Sequence, residues 1–232
     1  MPIKKVCEGV YHINLGRINA WLYNHEGRRV LVDTGLPAHG RRILSMLLKL
    51  SVQPETLDAI FLTHSHLDHS GSARMLSGVG KTEVLIHGAD ASAVEGKTRL
   101  SPTRPDPLGA LVEPLVAWSE KRLFHYQPCK VTPVSEGFRS GALKLIHIPG
   151  HTPGQSGLFC EKTGVAFCGD AAVNWGFRLS GPSKMFTIDW EQVRLSQLKL
   201  ADLDAAWYCF GHGPPLKKGA RALRELADRL SD

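Results

Sequence analysis

No stretch of the sequence approaches the about 18 consecutive apolar residues of a membrane span. The N-terminus, Met1-Pro2-Ile3-Lys4-Lys5-Val6-Cys7, sets no apolar run of signal-peptide length behind its two lysines. These two absences predict a cytoplasmic chain with no membrane partner. Cysteine is scarce: the five residues Cys7, Cys129, Cys160, Cys168 and Cys209 are odd in number and lack close metal-type pairs. They read as reduced thiols and not as a disulfide framework. Aromatics are few, at 7%, and no basic run is interleaved with them, so the net charge of +6 does not point to nucleic acid. Its cations sit in Arg28-Arg29, Arg41-Arg42 and a tail of Lys217, Lys218, Arg221, Arg224 and Arg229. They read first as solvated faces and second as attraction for an anionic small-molecule substrate. No internal repeat and no linker divides the chain. At 232 residues with 43% hydrophobic content, it can bury the core of one domain spanning 1–232.

What is present is an alternation of strand-like and helix-like segments. Val10–Ile13 and Ala20–Tyr23 read as strands, Glu26-Gly27 as a turn, and Val30–Val32 as a buried strand ending in Asp33-Thr34-Gly35. A helix is expected from Arg41 to Leu50, where Ile43, Leu47 and Leu50 share a face. Leu57–Leu62 is a strand, Asp68–Leu76 a helix, and Val84–Ile86 a strand. From Gly96 to Pro107 prolines predict a loop, and Leu108 to Phe124 reads as a helix broken at Pro114. Strands return at Leu143–Ile146 and in a hairpin, Gly157–Cys160 with Val165–Cys168. Asp189 with Gln192 caps a helix to about Leu200. A strand at Ala206–Phe210 and a helix with the apolar stripe Leu216, Ala220, Leu223, Leu226 and Leu230 close the chain. Strands mixed with helices throughout predict an α/β fold with sheet at its centre.

One segment concentrates chemistry. Thr63-His64-Ser65-His66-Leu67-Asp68-His69 places four candidate ligands in six positions directly after a strand. A chain of this composition produces H-x-H-x-D-H by chance about once in a thousand cases. In extended backbone, residues two apart point the same way, so His64 and His66 can grip one ion. A turn into helix then re-aims Asp68 and His69 toward a second. Three more candidates each follow an apolar strand where glycine turns the backbone: His151 in Pro149-Gly150-His151-Thr152-Pro153-Gly154, Asp170 in Cys168-Gly169-Asp170, and His212 in Gly211-His212-Gly213.

These residues together resemble the metallo-β-lactamase superfamily, nearest its glyoxalase II-like branch through Pro149–Gly154 and Cys168–Asp170. The resemblance runs from Val30 to His212. It implies a four-layer αββα sandwich with the metals at one edge. By the same resemblance His64, His66 and His151 would hold the first divalent ion, Asp68, His69 and His212 the second, and Asp170 would bridge them. Zinc is the first expectation, with iron or manganese as alternatives. Asp33 matches the family's buried aspartate that supports the motif loop. The implied reaction is cleavage of a carboxylic ester, thioester or lactone by water activated between the ions, with Asp68 shuttling the proton. The alternative is a mono-iron oxygenase acting on persulfides.

Departures narrow the range. Only 20 residues follow His212, where two-domain glyoxalase II enzymes carry a glutathione-binding helical region. Asp170 occupies a bridging position where di-zinc β-lactamases lack an aspartate. Val173 stands where the family's acyl-homoserine lactonases have tyrosine. The remaining histidines read as packing or solvent-facing groups, with His87 the best placed to support the cluster, and Cys168 as a buried thiol directed to the same side as Asp170. The aromatics Trp118, Phe124, Tyr126, Trp175, Phe177, Phe186 and Trp190 fall in the two least regular stretches. Trp118, Phe124 and Tyr126, in a pocket-covering insertion around 96–126, and Trp175 and Phe177 are the candidate pocket walls, with core packing as the competing reading.

Overall fold

The computed structural model describes residues 3–230. Strands β1 (Ile3–Cys7), β2 (Val10–Asn14), β3 (Asn19–His25), β4 (Arg28–Val32), β5 (Ala59–Leu62), β6 (Val84–His87) and β7 (Thr132–Val134) form one sheet in sequence order. Its first four strands pair antiparallel, and β4 through β7 pair parallel. The second sheet is built from β8 (Arg139–Ser140), β9 (Leu143–His147), β10 (Ser156–Cys160) and β11 (Val165–Gly169). A small hairpin, β12 (Val173–Asn174) and β13 (Leu179–Ser180), follows β11. The strands β14 (Trp207–Phe210) and β15 (Leu216–Lys217) then complete the second sheet, in the order β15-β14-β11-β10-β9-β8. Because β14 is parallel to β11, and β9 is two antiparallel steps from it, β9, β11 and β14 all point to one edge.

Strand alternation sorts the apolar residues into three layers. Val30, Val32 and Phe61 of the first sheet meet Leu145, Leu158, Val165 and Phe167 of the second in a core between the sheets. The intervening residues face outward. Leu22, Leu31 and Ile60 pack under the helices α1 (Gly40–Lys49), α3 (Ala73–Gly80) and α4 (Gly88–Val94), the short α2 (Leu67–Ser70) lying between α1 and α3 in the chain. One further helix, α5 (Pro107–Arg122), extends from this half. On the other side Ala166, Tyr208 and Phe210 pack under α6 (Trp190–Asp202) and α7 (Ala220–Asp228). This is the four-layer αββα arrangement.

Several boundaries differ from the sequence pattern. The 67–76 segment is two helices with Gly71 between them, where a Cβ would meet the Leu67 carbonyl and the Pro37 ring. Helix α5 runs through Pro114 unbroken. Proline removes the donor to the carbonyl of Ala110, an exposed residue. Leu216 lies in β15 and not on the final helix, which starts at Ala220. Cys168 does not face the same side as Asp170: it packs in the layer under α6 and α7, because the ladder shifts register between Phe167 and Gly169.

The layer between the sheets has no polar substitute for its large side chains. Phe167→Ala, at a position 1% exposed, is expected to cost about 3–5 kcal/mol, read as a lower midpoint in denaturant unfolding with unchanged slope.

Candidate metal centre

The carboxyl ends of β4, β5, β9, β11 and β14 meet at one edge of the sandwich, and every candidate ligand lies in the segment after one of them, Asp68 and His69 on the short α2. The two sheets are tied together there. The Ser156 amide donates to the Thr63 carbonyl at 2.8 Å, and the Asn19 amide donates to the Gly211 carbonyl at 2.8 Å. The Asn19 side-chain amide also donates to the carbonyls of Phe210 and Gly213, at 2.9 and 2.6 Å. Gly211 is required by close approach, since a Cβ there would collide with the Asp170 carboxylate and the His69 ring.

The structure brings all seven candidates together. His64, His66 and His151 form one group whose ligand atoms lie within 4.8 Å of one another, and Asp68, His69 and His212 form a second. Asp170 stands between them: its carboxylate oxygens are 3.1 Å from His212 Nε2, 3.4 Å from His69 Nε2 and 3.7 Å from His151 Nε2.

Hydrogen bonds behind these rings decide which nitrogen faces inward. Asp33, at the end of β4, accepts from His69 Nδ1 at 2.9 Å, and also from the amide and hydroxyl of Thr63. With its proton given to Asp33, the Thr63 hydroxyl accepts from His64 Nδ1 at 3.0 Å. Likewise the Thr187 hydroxyl donates to the Ser183 carbonyl and accepts from His151 Nδ1 at 3.2 Å. His212 Nδ1 donates to the Arg17 carbonyl at 2.7 Å. All four rings therefore carry a proton on Nδ1 and turn Nε2 to the centre. Buried there, Nε2 of His64, His66, His69 and His151 and one oxygen of Asp170 find no hydrogen-bond partner. Orphaned buried polar atoms are costly, and five that converge from imidazole and carboxylate fit divalent metal ions in both chemistry and number.

The electrostatics divide the histidines. Burial, reinforced by neighbouring imidazoles, pushes His64 and His151 well below the ordinary histidine value and His66 down to about 4. Burial opposes charge on His69 too, but the fields of Asp170, Asp68 and Asp33 override it and lift it to about 10. The Asp170 carboxylate, acting against burial, lifts His212 to about 9. Asp170 itself is held well below the usual carboxylate range, since the His212 and His69 charges outweigh its burial.

A profile of the metallo-β-lactamase superfamily matches residues 13–212. The chain belongs to this superfamily. It is 32% identical to "Probable metallo-hydrolase YflN" of Bacillus subtilis over 222 residues, covering 87% of this chain and 82% of that protein. It is 29% identical to a hydroxyacylglutathione hydrolase of Aeromonas hydrophila, covering 82% of this chain but 59% of that protein. Among solved structures, Rm3 metallo-β-lactamase shares the fold with a TM-score of 0.73 at 19% identity, over all of this chain and 93% of the other. TTHA1623 in a di-iron-bound form gives a TM-score of 0.68 at 25% identity, over 88% of this chain and 92% of the other.

As a superfamily member the chain has a cleft on each side of the centre, and the two share Asp68, Asp170, Ser183 and His212. The first, about 370 Å³, is walled by Leu36, Leu67, Val116, Phe124 and Phe186. The second, about 710 Å³, is walled by Ile18, Trp175 and Pro182, with Arg17 as its cation. Of the expected aromatic walls, Phe124 and Trp175 are in place. Trp118 and Phe177 are not: neither lines either cleft, and Phe177 is 90% exposed. Tyr126 is not either, because it packs on the core under the first sheet and donates to the Val94 carbonyl at 2.9 Å. Phe186 stands in their place, its ring 5.8 Å from that of His66. His87 does not support the cluster; it stacks on His147 at 4.0 Å.

The residue that sequence reasoning missed is Asp90. Buried on α4, it accepts from the Ser65 amide at 3.0 Å, the Thr152 hydroxyl at 2.6 Å and the Gly154 amide at 2.7 Å. One carboxylate thus ties the loop carrying His64 and His66 to the loop carrying His151. No periodicity or motif marks it, because its partners lie 25 to 64 residues away.

Two outcomes follow. Asp90→Ala strands three buried donors, each worth about 1–3 kcal/mol, and should lower both melting temperature and metal affinity. Asp33→Ala should lower metal affinity about 10–100-fold, with both read by competition against a chromophoric chelator. Separately, in the metal-free chain His69 and His212 hold protons at neutral pH, because their values of about 10 and 9 lie above it. Metal uptake at pH 7 should therefore release close to two protons, fewer as pH rises through 9 and 10, and affinity should weaken as pH falls. Titration calorimetry in buffers of different ionisation enthalpy measures that number; zero protons at pH 7 would refute the charge assignment.

Proposed function

We propose that this chain is a di-metal hydrolase of carboxylic esters, thioesters or lactones, with zinc the first candidate metal. The observation that carries the reading is the set of Nε2 atoms turned inward and left without partners around the shared carboxylate of Asp170. When bound, two divalent ions here would polarise a carbonyl and lower the pKa of water to about 7. His64, His66 and His151 would hold one ion, Asp68, His69 and His212 the other, and Asp170 both. A solved relative named for its di-iron-bound form supports two-ion loading and keeps iron as an alternative metal.

The chain's own groups divide the remaining work. Asp33, Thr63, Thr187 and the Arg17 carbonyl fix the imidazole rings, so no reorganisation is needed as charge develops. Asp68, half-exposed at the lip where both clefts meet, is positioned to take a proton from water and return it to the leaving oxygen or sulfur. The cleft of Leu36, Leu67, Val116, Phe124 and Phe186 suits an apolar acyl group and sheds water from it. The cleft holding Arg17 and Trp175 suits a more polar leaving group, anionic where it reaches the guanidinium. Relatives named hydroxyacylglutathione hydrolase support the thioester member of this class.

The test is metal analysis of the purified chain, then a substrate screen. Two zinc-class ions per chain and turnover of an ester, thioester or lactone, lost on chelation, are expected. Phe186→Ala and Phe124→Ala should raise KM several-fold with metal content intact, while Phe177→Ala should change neither. A β-lactam turned over with higher kcat/KM than every ester, thioester and lactone would overturn the reading. So would one iron per chain with oxygen uptake on a persulfide.

A further inference from the structure

Helix α5 keeps a carboxylate on its inner side. Of its 16 residues only Gly109 and Glu120 are fully buried. Val116, Ser119 and Glu120 share the helix face that lines the first cleft. Glu120 is 9% exposed, yet its Oε1 finds no hydrogen-bond partner. No ion pair holds it among the described residues, and no lysine or arginine among them lines the cleft. Burial pushes its carboxyl above the usual carboxylate range, against the hydroxyl and amide of Ser101. Those contacts occupy one carboxyl oxygen and leave the other over.

The free oxygen does not belong to the metal centre. His66 and His151 also bring orphaned atoms to this cleft, but each sits in a ligand group, and Glu120 is in none. The walls around it are Leu36, Leu67, Val116, Phe124 and Phe186. A buried polar group without a partner is costly, and a single acceptor set among apolar walls is the kind of group that orients a bound ligand. The ligand that matches this cleft is a carbon chain carrying one hydrogen-bond donor.

We propose that Glu120 is a specificity-determining residue, which accepts a hydrogen bond from a hydroxyl or ammonium group on the acyl chain held in this cleft. The inference rests on the reaction proposed above, which names the bound chain as acyl. A chain without the donor leaves the carboxyl oxygen buried and unpaired. Selection therefore comes as much from loss with the wrong chain as from gain with the right one.

The preference can be read without turnover, by calorimetric binding of free acids to the zinc-loaded chain. The set is hexanoate and hexanoates carrying a hydroxyl or an amine at each carbon in turn; their methyl esters read the same preference in kcat/KM. At least one donor position should bind about 10-fold or more tighter than hexanoate. Glu120→Leu should bring that ratio close to one with metal content intact. Glu120→Gln keeps an acceptor oxygen but no charge, so it should retain a hydroxyl preference and lose most of an ammonium one, which tells the two donors apart. A Glu120 that only anchors α5 would shift all the acids alike in Glu120→Leu and leave the ratio unchanged, and that result overturns the proposal. So does the lack of a gain at every donor position. Turnover of none of the esters, with the binding preference present and lost in Glu120→Leu, would overturn the hydrolase reading and support this one.

Discussion

The centre depends on where four imidazole N–H groups can go. A histidine offers a lone pair from one nitrogen only if the other keeps the proton, and in this chain Asp33, Thr63, Thr187 and the Arg17 carbonyl each receive one. Asp33 has the widest reach, because it orders Thr63 as well as His69 and so sets two rings at once. It does so from a left-handed backbone position, φ 61°, at the end of β4, a conformation uncommon for any residue but glycine. The backbone there is spent on aiming a carboxylate and not on continuing the strand.

Most of the architecture was legible because the strands are short, apolar and punctuated. Val30-Leu31-Val32 and Val165-Ala166-Phe167 read as buried strands, and they are, with alternate residues serving the two faces. The errors have physical causes. Pro114 removes one helical hydrogen bond, the one to Ala110, on the exposed side of α5, and the helix continues through it. Leu216 fits the helical spacing of the tail but pairs with Tyr208 across a strand ladder, and ladder pairing is invisible to a periodicity argument.

The site was legible to a different degree. The cluster from His64 to His69 announces itself, and His151, Asp170 and His212 are marked by the glycines beside them. The walls were legible only in part, because aromatic content in a loop does not say which side of the loop faces the cleft: Phe124 and Trp175 line the clefts, but Phe177 turns out and Phe186 turns in. Asp90 shows the deeper limit. Its role arises from three donors contributed by two distant loops, and nothing in its own neighbourhood of sequence encodes that meeting.

Each group of ligands spans both sheets: His64 and His66 follow β5 and His151 follows β9, while Asp68 and His69 follow β5 and His212 follows β14. An ion held in either group would be a cross-link between two halves of the chain, closing the long segments from His66 to His151 and from His69 to His212 into rings. Ion escape and separation of the sheets would then share one barrier. A centre so placed times its own assembly, since it is complete only after the halves have docked, and once filled it slows their parting.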